Sequence, residues 1–348
     1  MMARKNREEV VPSALTRKQF LASVAAAGAA GLASRPAQAA RRSVIKFGID
    51  LPADHPTTVH VQSAADKIKS ATDGEVIVQI FPNNQLGDDT HMLSNLRAGA
   101  MQMMGIGDNI LATLVPAAAI DNVGFAFKDA KTAWTALDGE VGALVRPEIG
   151  KTGLYAMEKV WDEGFRQITT STKPINTPAD LQGFKIRVPP SPMNLSIFKD
   201  LGAAPVTMNV SELYTALQTR VVDGQENPLG VIETTKFYQV QKYCSMTNHM
   251  WVGYWMIMNG PFWKSLPPAH QKAVSEAFNT AADAQRTANQ ELDDSLESKL
   301  KSQGLIFNTP DPAPFKAQLV KAGYYKEWQG KFGDKLWSAL EKYTSTLG

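Results

Sequence analysis

Gly183-Phe184-Lys185-Ile186-Arg187-Val188-Pro189-Pro190 alternates apolar Phe184, Ile186 and Val188 with basic Lys185 and Arg187, the pattern of a short strand with one buried face. Two prolines, which lack the N–H a sheet ladder needs, then stop it. Arg187 is therefore expected at the carboxyl end of a strand, opposite the apolar trio. Ligands of open α/β sheets bind at that end, and a planar guanidinium there grips a carboxylate with two parallel hydrogen bonds. The alternative is an arginine on a strand's wet face, and this stretch alone leaves both readings open.

Upstream, Val44–Ile49 and Val76–Phe81 read as strands flanking a helix over Thr57–Ala71, whose apolar residues Val61, Ala64, Ala65 and Ile68 recur at helical spacing. This is a βαβ unit. A helix to Ala98 follows Gln85-Leu86-Gly87-Asp88-Asp89, then a strand over Met101–Ile106 that ends in Gly107-Asp108-Asn109. Helices are expected over Lys128–Leu137 and Val141–Ile149, and a strand over Gly153–Val160. The chain then crosses between lobes near Arg166, because a second α/β series begins there: helix Asn194–Leu201, strand Pro205–Met208, and helix Ser211–Thr219 with Ser211 as N-cap. Val222-Asp223-Gly224-Gln225-Glu226-Asn227-Pro228 reads as an apolar step and a polar turn. Strands are expected over Tyr243–Met246 and Tyr254–Met258, and Trp251, Tyr254 and Trp255 cluster beside a second crossing.

From Pro268 to about Gln303, Val274, Phe278, Ala281, Leu292, Leu296 and Leu300 keep helical spacing. At 1.5 Å per residue that helix is on the order of 50 Å long and ties both lobes together. Two amphipathic surface helices are expected after Asp311, anchored by Trp328 and Trp337. The fold class is α/β, two lobes of sheet flanked by helices with one long helix spanning both. The division is 40–164 plus about 253–292 for lobe I, and 165–252 plus about 293–348 for lobe II.

Composition agrees. The chain has 348 residues, 44% hydrophobic and 20% charged, ordinary for a globular protein large enough for two cores. Of 36 basic and 34 acidic side chains, six basic (Arg4, Lys5, Arg7, Arg17, Lys18, Arg35) and two acidic (Glu8, Glu9) fall within residues 1–39, leaving 30 against 32. So even a balance speaks against nucleic acid as a partner. Residues 1–39 read as a cleaved secretory signal: Thr16-Arg17-Lys18-Gln19-Phe20-Leu21, a mild apolar run Ala22–Leu32, and Ala37-Gln38-Ala39. The setting resembles a twin-arginine signal, with Lys18 where the second arginine belongs. Cys244 is the only cysteine and reads as a small core residue.

Signatures of catalysis are missing: no Gly-x-Gly-x-x-Gly, phosphate-binding loop, Gly-x-Ser-x-Gly or His-Glu-x-x-His occurs. The histidines lack metal-ligand spacing, His55 alone lying in a strand-end loop. Asp88-Asp89 reads as a helix cap and Asp293-Asp294 as a solvated face. No cofactor and no metal are expected. Instead, polar groups gather at strand ends: Asp50, Asp108 and Asn109 from one lobe, Arg166 at the crossing, Arg187 and Asn227 from the other.

Several motifs together resemble the solute-binding proteins of tripartite ATP-independent periplasmic (TRAP) transporters, of the dicarboxylate-binding type. They are Gln85-Leu86-Gly87-Asp88, Trp161-x-x-Gly164-Phe165-Arg166-Gln167, Lys173-Pro174-Ile175, Asp180-Leu181-x-Gly183-x-Lys185-Ile186-Arg187-Val188-Pro189, Glu212-Leu213-Tyr214-x-Ala216-Leu217-Gln218 and Val222-Asp223-Gly224-Gln225-Glu226-Asn227-Pro228. The resemblance runs from about Val44 to past Leu300. It implies two lobes closing on an organic acid in the periplasm, with Arg187 pairing its carboxylate and Arg166 and Asn227 assisting. It also implies hand-over to the small and large subunits of a membrane permease. Asp50, His55, Asp108, Asn109, Val210, Trp251 and Tyr254 are the further candidates for the cleft.

The acid is left open among sugar acids, dicarboxylates and aromatic acids. Gly107 stands where some sugar-acid binders carry an acidic residue. Trp251, Tyr254 and Trp255 either stack on an aromatic acid or pack the hinge. Two rival functions stand beside transport: a periplasmic enzyme using Asp108, His55 or Glu226 as acid or base, and a binding protein that presents its ligand to a sensor.

Overall fold

The computed structural model describes residues 42–348; the expected export segment, residues 1–39, lies outside the described residues. Twelve strands are seen among the described residues. The first five are β1 (Ser43–Gly48), β2 (Val76–Phe81), β3 (Met103–Gly107), β4 (Leu154–Ala156) and β5 (Trp161–Phe165). Then come β6 (Gln167–Thr170), β7 (Lys185–Val188), β8 (Ala204–Thr207), β9 (Gly224–Asn227) and β10 (Tyr243–Ser245). The last two are β11 (Trp251–Asn259) and β12 (Ile306–Asn308).

The strands form two six-stranded mixed sheets. The first runs β2-β1-β3-β11-β4, with β5 also on β11; the second runs β12-β10-β6-β9-β7-β8. In the first, β1 pairs parallel with β2 and β3, and β11 runs antiparallel to its neighbours. In the second, β7 is parallel to both β8 and β9, so three carboxyl ends point the same way.

The helices are α1 (Pro56–Ala71), α2 (Asp89–Ala98), α3 (Asp108–Leu111), α4 (Ala130–Asp138), α5 (Glu140–Lys151), α6 (Pro192–Asp200) and α7 (Val210–Gln218). They continue with α8 (Leu229–Thr234), α9 (Gly260–Ser265), α10 (Pro268–Ser302), α11 (Ala313–Ala322), α12 (Tyr324–Phe332) and α13 (Asp334–Glu341).

The sheets anchor two lobes, and the chain crosses between them along adjacent paths. The first crossing is at Arg166, between β5 and β6. The second lies between β10 and β11. Trp251 pairs with Phe165, and the Arg166 N–H donates to the Met250 carbonyl at 2.8 Å, which zips the two crossings together. Helix α10 makes the third tie. It spans 35 residues and packs on α1 and β5 of the first lobe and on α8 and β12 of the second. Its Phe278 sits 6.0 Å from the Phe47 ring and 6.2 Å from Trp161.

Three local expectations are corrected. Val222–Pro228 is not a turn: Gly224–Asn227 is β9, buried between β6 and β7, its polar side chains satisfied by one another and by neighbouring strands. Asn209 rather than Ser211 stands at the N-cap of α7, where it makes no side-chain capping bond, and Ser211 lies inside the helix. The carboxyl-terminal arm is three helices, broken where Gly323 and Gly333 take positive φ (81° and 77°) that other residues rarely adopt. Of this arm, α11 and α12 pack on α6, and α13 packs on α5. Cys244 is buried in the core.

Candidate ligand-binding site

Arg187 is where the alternation put it, at the end of β7, but it is not on a wet face. Only 2% of it is exposed. Its Nε donates to the Met208 carbonyl at 2.9 Å, and among the described residues no carboxylate lies within salt-bridge distance. Burial without a close counter-charge pushes it down to about 10, despite the pull of Glu226 nearby. A buried cation left without a counter-charge is costly until an anion meets it.

Arg166 is the opposite case. Its Nε and Nη2 both meet the Glu226 carboxylate, Nη2 also donates to the Glu226 carbonyl (2.7 Å) and to Asn227 Oδ1 (2.8 Å), and Nη1 reaches Glu163 at 3.2 Å. Burial opposes the charge, yet Glu226 and Glu163 hold the guanidinium above its ordinary range. Glu226 in turn accepts from Asn194 Nδ2 (3.1 Å) and faces His249 Nε2 (3.2 Å). Burial disfavours its charge, but Arg166 and His249 hold it down at about 2. Arg166 is thus already neutralised, and its forks are spent within the protein.

Both arginines border a small cavity of about 20 Å³ between the lobes, lined also by Asp50, Asp89, Asn109, Glu163, Asn227 and Tyr254, with Gly107, Ile110, Pro189, Val210 and Val231 completing it. The walls come from the ends of β1, β3, β7 and β9 and the starts of α2 and α7, as expected for the carboxyl edges of two facing sheets. The Tyr254 hydroxyl donates to Asp50. Asn109 Nδ2 reaches across to Asn194 Oδ1 at 3.5 Å. A larger groove, about 660 Å³, lies on the outer surface between Leu114–Ala117, α5 and Lys331–Leu336. Its polar residues are surface lysines and acids rather than buried converging groups, so the smaller cavity is the better candidate.

Seven of the ten residues expected at the cleft line this cavity: Asp50, Asn109, Arg166, Arg187, Val210, Asn227 and Tyr254. His55, Asp108 and Trp251 do not. His55 caps α1, its Nδ1 accepting from the Thr57 N–H at 3.2 Å, and burial pushes it down to about 4. Asp108 turns inward, accepting from Asn122 Nδ2 (2.8 Å) and from the Gly253 N–H of β11. Burial and the neighbouring Asp121 raise its carboxyl well above the ordinary range. Trp251 donates to Asp162 Oδ1 at 2.8 Å and packs edge-on against Phe127. With Trp255 fully buried, the aromatic cluster packs the crossing, and only Tyr254 meets the cavity.

Asp89, expected only as part of a helix cap, and Glu163, for which the sequence carried no expectation, also line the cavity. Asp88 is the N-cap of α2, its carboxylate accepting from the His91 N–H at 2.9 Å, but Asp89 beside it is 2% exposed and faces the cavity. Glu163 falls at an unspecified position of the Trp161-x-x-Gly164 motif, so only its place three residues before Arg166 pointed toward the site. Asp293, expected on a solvated face, has a buried Oδ1 without a partner, and burial raises it to about 8.

Two α/β lobes joined by adjacent crossings, with a polar cavity where their sheet edges face, are the arrangement of a solute-binding protein that closes on its ligand. Residues 47–330 match the model of the bacterial extracellular solute-binding protein family 7, DctP, and the chain belongs to that family. It is 33% identical over 276 residues to the 2,3-diketo-L-gulonate-binding periplasmic protein YiaO of Escherichia coli, covering 79% of this chain and 84% of that one. The structure superposes on a TRAP periplasmic solute-binding protein of Sulfurospirillum deleyianum with bound succinate: TM-score 0.81, 30% identity, 86% of this chain and 99% of the other. The galactonate complex of a sugar acid binding protein from Advenella mimigardefordensis gives a TM-score of 0.83 at 28% identity, over 87% and 99% of the two chains.

Proposed function

We propose that this protein captures an organic acid in the periplasm, with Arg187 pairing its carboxylate, and hands it to the two membrane subunits of a TRAP permease. The carrying observation is the contrast between the arginines. Arg166 is neutralised by Glu226 and Glu163, whereas Arg187 is buried with only a backbone carbonyl on its Nε. Arg166 then serves to hold Asn227 and the crossing in place. The ligands of the relatives, a diketo sugar acid, succinate and galactonate, share a carboxylate and differ elsewhere. Family membership and the fold support release of the ligand unchanged. The acid–base candidates His55, Asp108 and Glu226 are each engaged in internal hydrogen bonds that position the backbone or Arg166.

The test is mass spectrometry of the acid that co-purifies, followed by calorimetric titration of wild type and Arg187→Ala. Two charge-assisted hydrogen bonds contribute about 3–6 kcal/mol together, so Arg187→Ala should weaken binding at least ~100-fold. Arg187→Lys should also bind poorly, since it keeps the charge and loses the fork. Undiminished affinity in Arg187→Ala refutes the assignment.

A further inference from the structure

Asp108 lies between Gly107 and Asn109, which line the cavity, but its side chain turns away to meet a second carboxyl. That partner, Asp121, belongs to the 3₁₀ helix Pro116–Asn122 and is 1% exposed, yet neither of its carboxyl oxygens receives a hydrogen bond. Among the described residues, no cation lies within salt-bridge distance of either group. Asp108 is held from its other side. Its Oδ1 accepts from Asn122 Nδ2 at 2.8 Å and its Oδ2 from the Gly253 N–H, while Asn122 Nδ2 also donates to the Trp251 carbonyl at 3.1 Å. Two buried carboxylates in contact repel, whereas two carboxyls with one proton between them make a charge-assisted hydrogen bond.

We propose that Asp108 and Asp121 share one proton, taken from solvent, and that this proton couples ligand capture to pH. The loaded, closed form holds it more tightly than the empty one, so affinity falls as the pair ionises. The coupling rests on the reading of the cavity as a carboxylate site; the shared proton does not. An acid seated on Arg187 brings negative charge to the wall that Asp108 backs, and closure takes water from that wall. Both changes favour the protonated pair. By linkage, a proton that the ligand draws in must itself tighten the ligand. The pair also sits at a joint. Trp251 and Gly253 belong to β11 where it leaves the second crossing, and the pairing of β11 with β5 shifts register there. Asn109, next in the chain, lines the cavity and reaches Asn194 of the second lobe at 3.5 Å. Repulsion in the ionised pair therefore falls on the crossing strand and on a wall residue together. Other charges nearby do not replace the proton. Glu163 and Arg166 feel Asp108 at longer range, Arg166 being already spent on Glu226 and Glu163, and Asp162 of β5 is taken by the Trp251 indole. From α6 the group that approaches Asn109 is the neutral Asn194. Burial raises both carboxyls of the pair, and Asp121 raises Asp108 further.

The test begins with protein freed of co-purifying acid by unfolding and refolding. Melting followed by circular dichroism between pH 5 and pH 9 compares wild type with Asp121→Asn and, independently, Asp121→Ser, neither of which ionises at that position. The folded pair keeps a proton that the unfolded chain releases, so stability from this source is lost as pH rises. Over that range the melting temperature of wild type should fall at least ~3 °C further than that of a folded variant. Parallel profiles overturn the shared proton. Calorimetric titration with D-galactonate and with succinate then reads the coupling. From pH 6 to pH 9 the tighter acid should weaken at least ~5-fold more in wild type than in the variant, since Glu163 and the other cavity carboxyls titrate alike in both. Wild type should also take up more protons per ligand bound, measured in two buffers of unlike ionisation heat. Equal declines overturn the coupling, as does binding of neither acid. If Arg187→Ala abolishes binding while the declines are equal, only the coupling falls. If binding survives Arg187→Ala, the underlying reading of the site falls.

Discussion

Replacing Glu226 by Gln keeps the shape of the side chain and removes the charge that neutralises Arg166. Removing one partner of a buried pair destabilises a protein by about 3–5 kcal/mol. Glu163 remains 3.2 Å from Arg166 Nη1, so the lower end, about 3 kcal/mol, is expected. Linkage leads to the same figure. Glu226 is held at about 2 against an ordinary 4.5, and two to three pK units at about 1.4 kcal/mol each again come to about 3 kcal/mol. At about 2 °C per kcal/mol for a chain of this size, Glu226→Gln should melt about 6 °C below wild type at pH 7. The sign of the pH dependence follows. A carboxylate with a depressed folded pKa contributes its full stability above its unfolded value and loses it as pH falls toward the folded one. The gap between wild type and variant should therefore close between pH 4.5 and about 2. Ligand-free protein followed by circular dichroism gives both numbers. Melting within about 2 °C of wild type at pH 7, or a gap that does not shrink on acidification, refutes the reasoning. Arg166→Met/Glu226→Met, which removes both charges, should lie closer to wild type than Arg166→Met alone.

Three further outcomes are expected. Asp293 is raised by burial to about 8 from 3.8, so its folded form keeps a proton that the unfolded chain releases, and stability falls as pH rises between these values. Asp293→Asn should accordingly melt at least about 2 °C higher than wild type at pH 8 and show a much smaller gain at pH 4. A Cβ at Gly253 would lie 2.4 Å from Val160 Cγ1 and 2.8 Å from Asp108 Oδ2, where the pairing of β11 with β5 shifts register. Gly253→Ala should lose about 1–3 kcal/mol in denaturant unfolding, and an unchanged midpoint would show that the crossing yields freely. Two lobes joined by adjacent crossings are built for hinge motion, so small-angle scattering should show compaction on adding the native acid, and an unchanged radius of gyration argues against a closing cleft.

Periodicity made the frame readable. The first βαβ unit, the long α10 and the strand carrying Arg187 all follow from which residues are apolar and how far apart they stand, because burial of one face is what forms those elements. β9 escaped for the converse reason. Gln225, Glu226 and Asn227 are buried strand residues whose partners Thr169, Arg166, Asn194 and His249 come from distant parts of the chain, and no local pattern encodes a polar strand satisfied by remote groups. The site shows the same divide. Strand ends located Asp50, Asn109, Arg187 and Asn227, but an end does not say which way a side chain turns. Asp108 and Asn109 are neighbours, and one carboxyl goes inward to the Gly253 N–H while the other side chain lines the cavity. Asp88 and Asp89 divide likewise into a cap and a wall. Arg166 reads from the sequence as an assistant to Arg187 on the ligand carboxylate, a second guanidinium near the cleft. They differ because Arg166 is already paired with Glu226, leaving Arg187 as the unpaired cation. Counting arginines in the sequence therefore does not tell which of them is already paired: Arg166 meets Glu226 and Glu163, while the Nε of Arg187 meets only a backbone carbonyl.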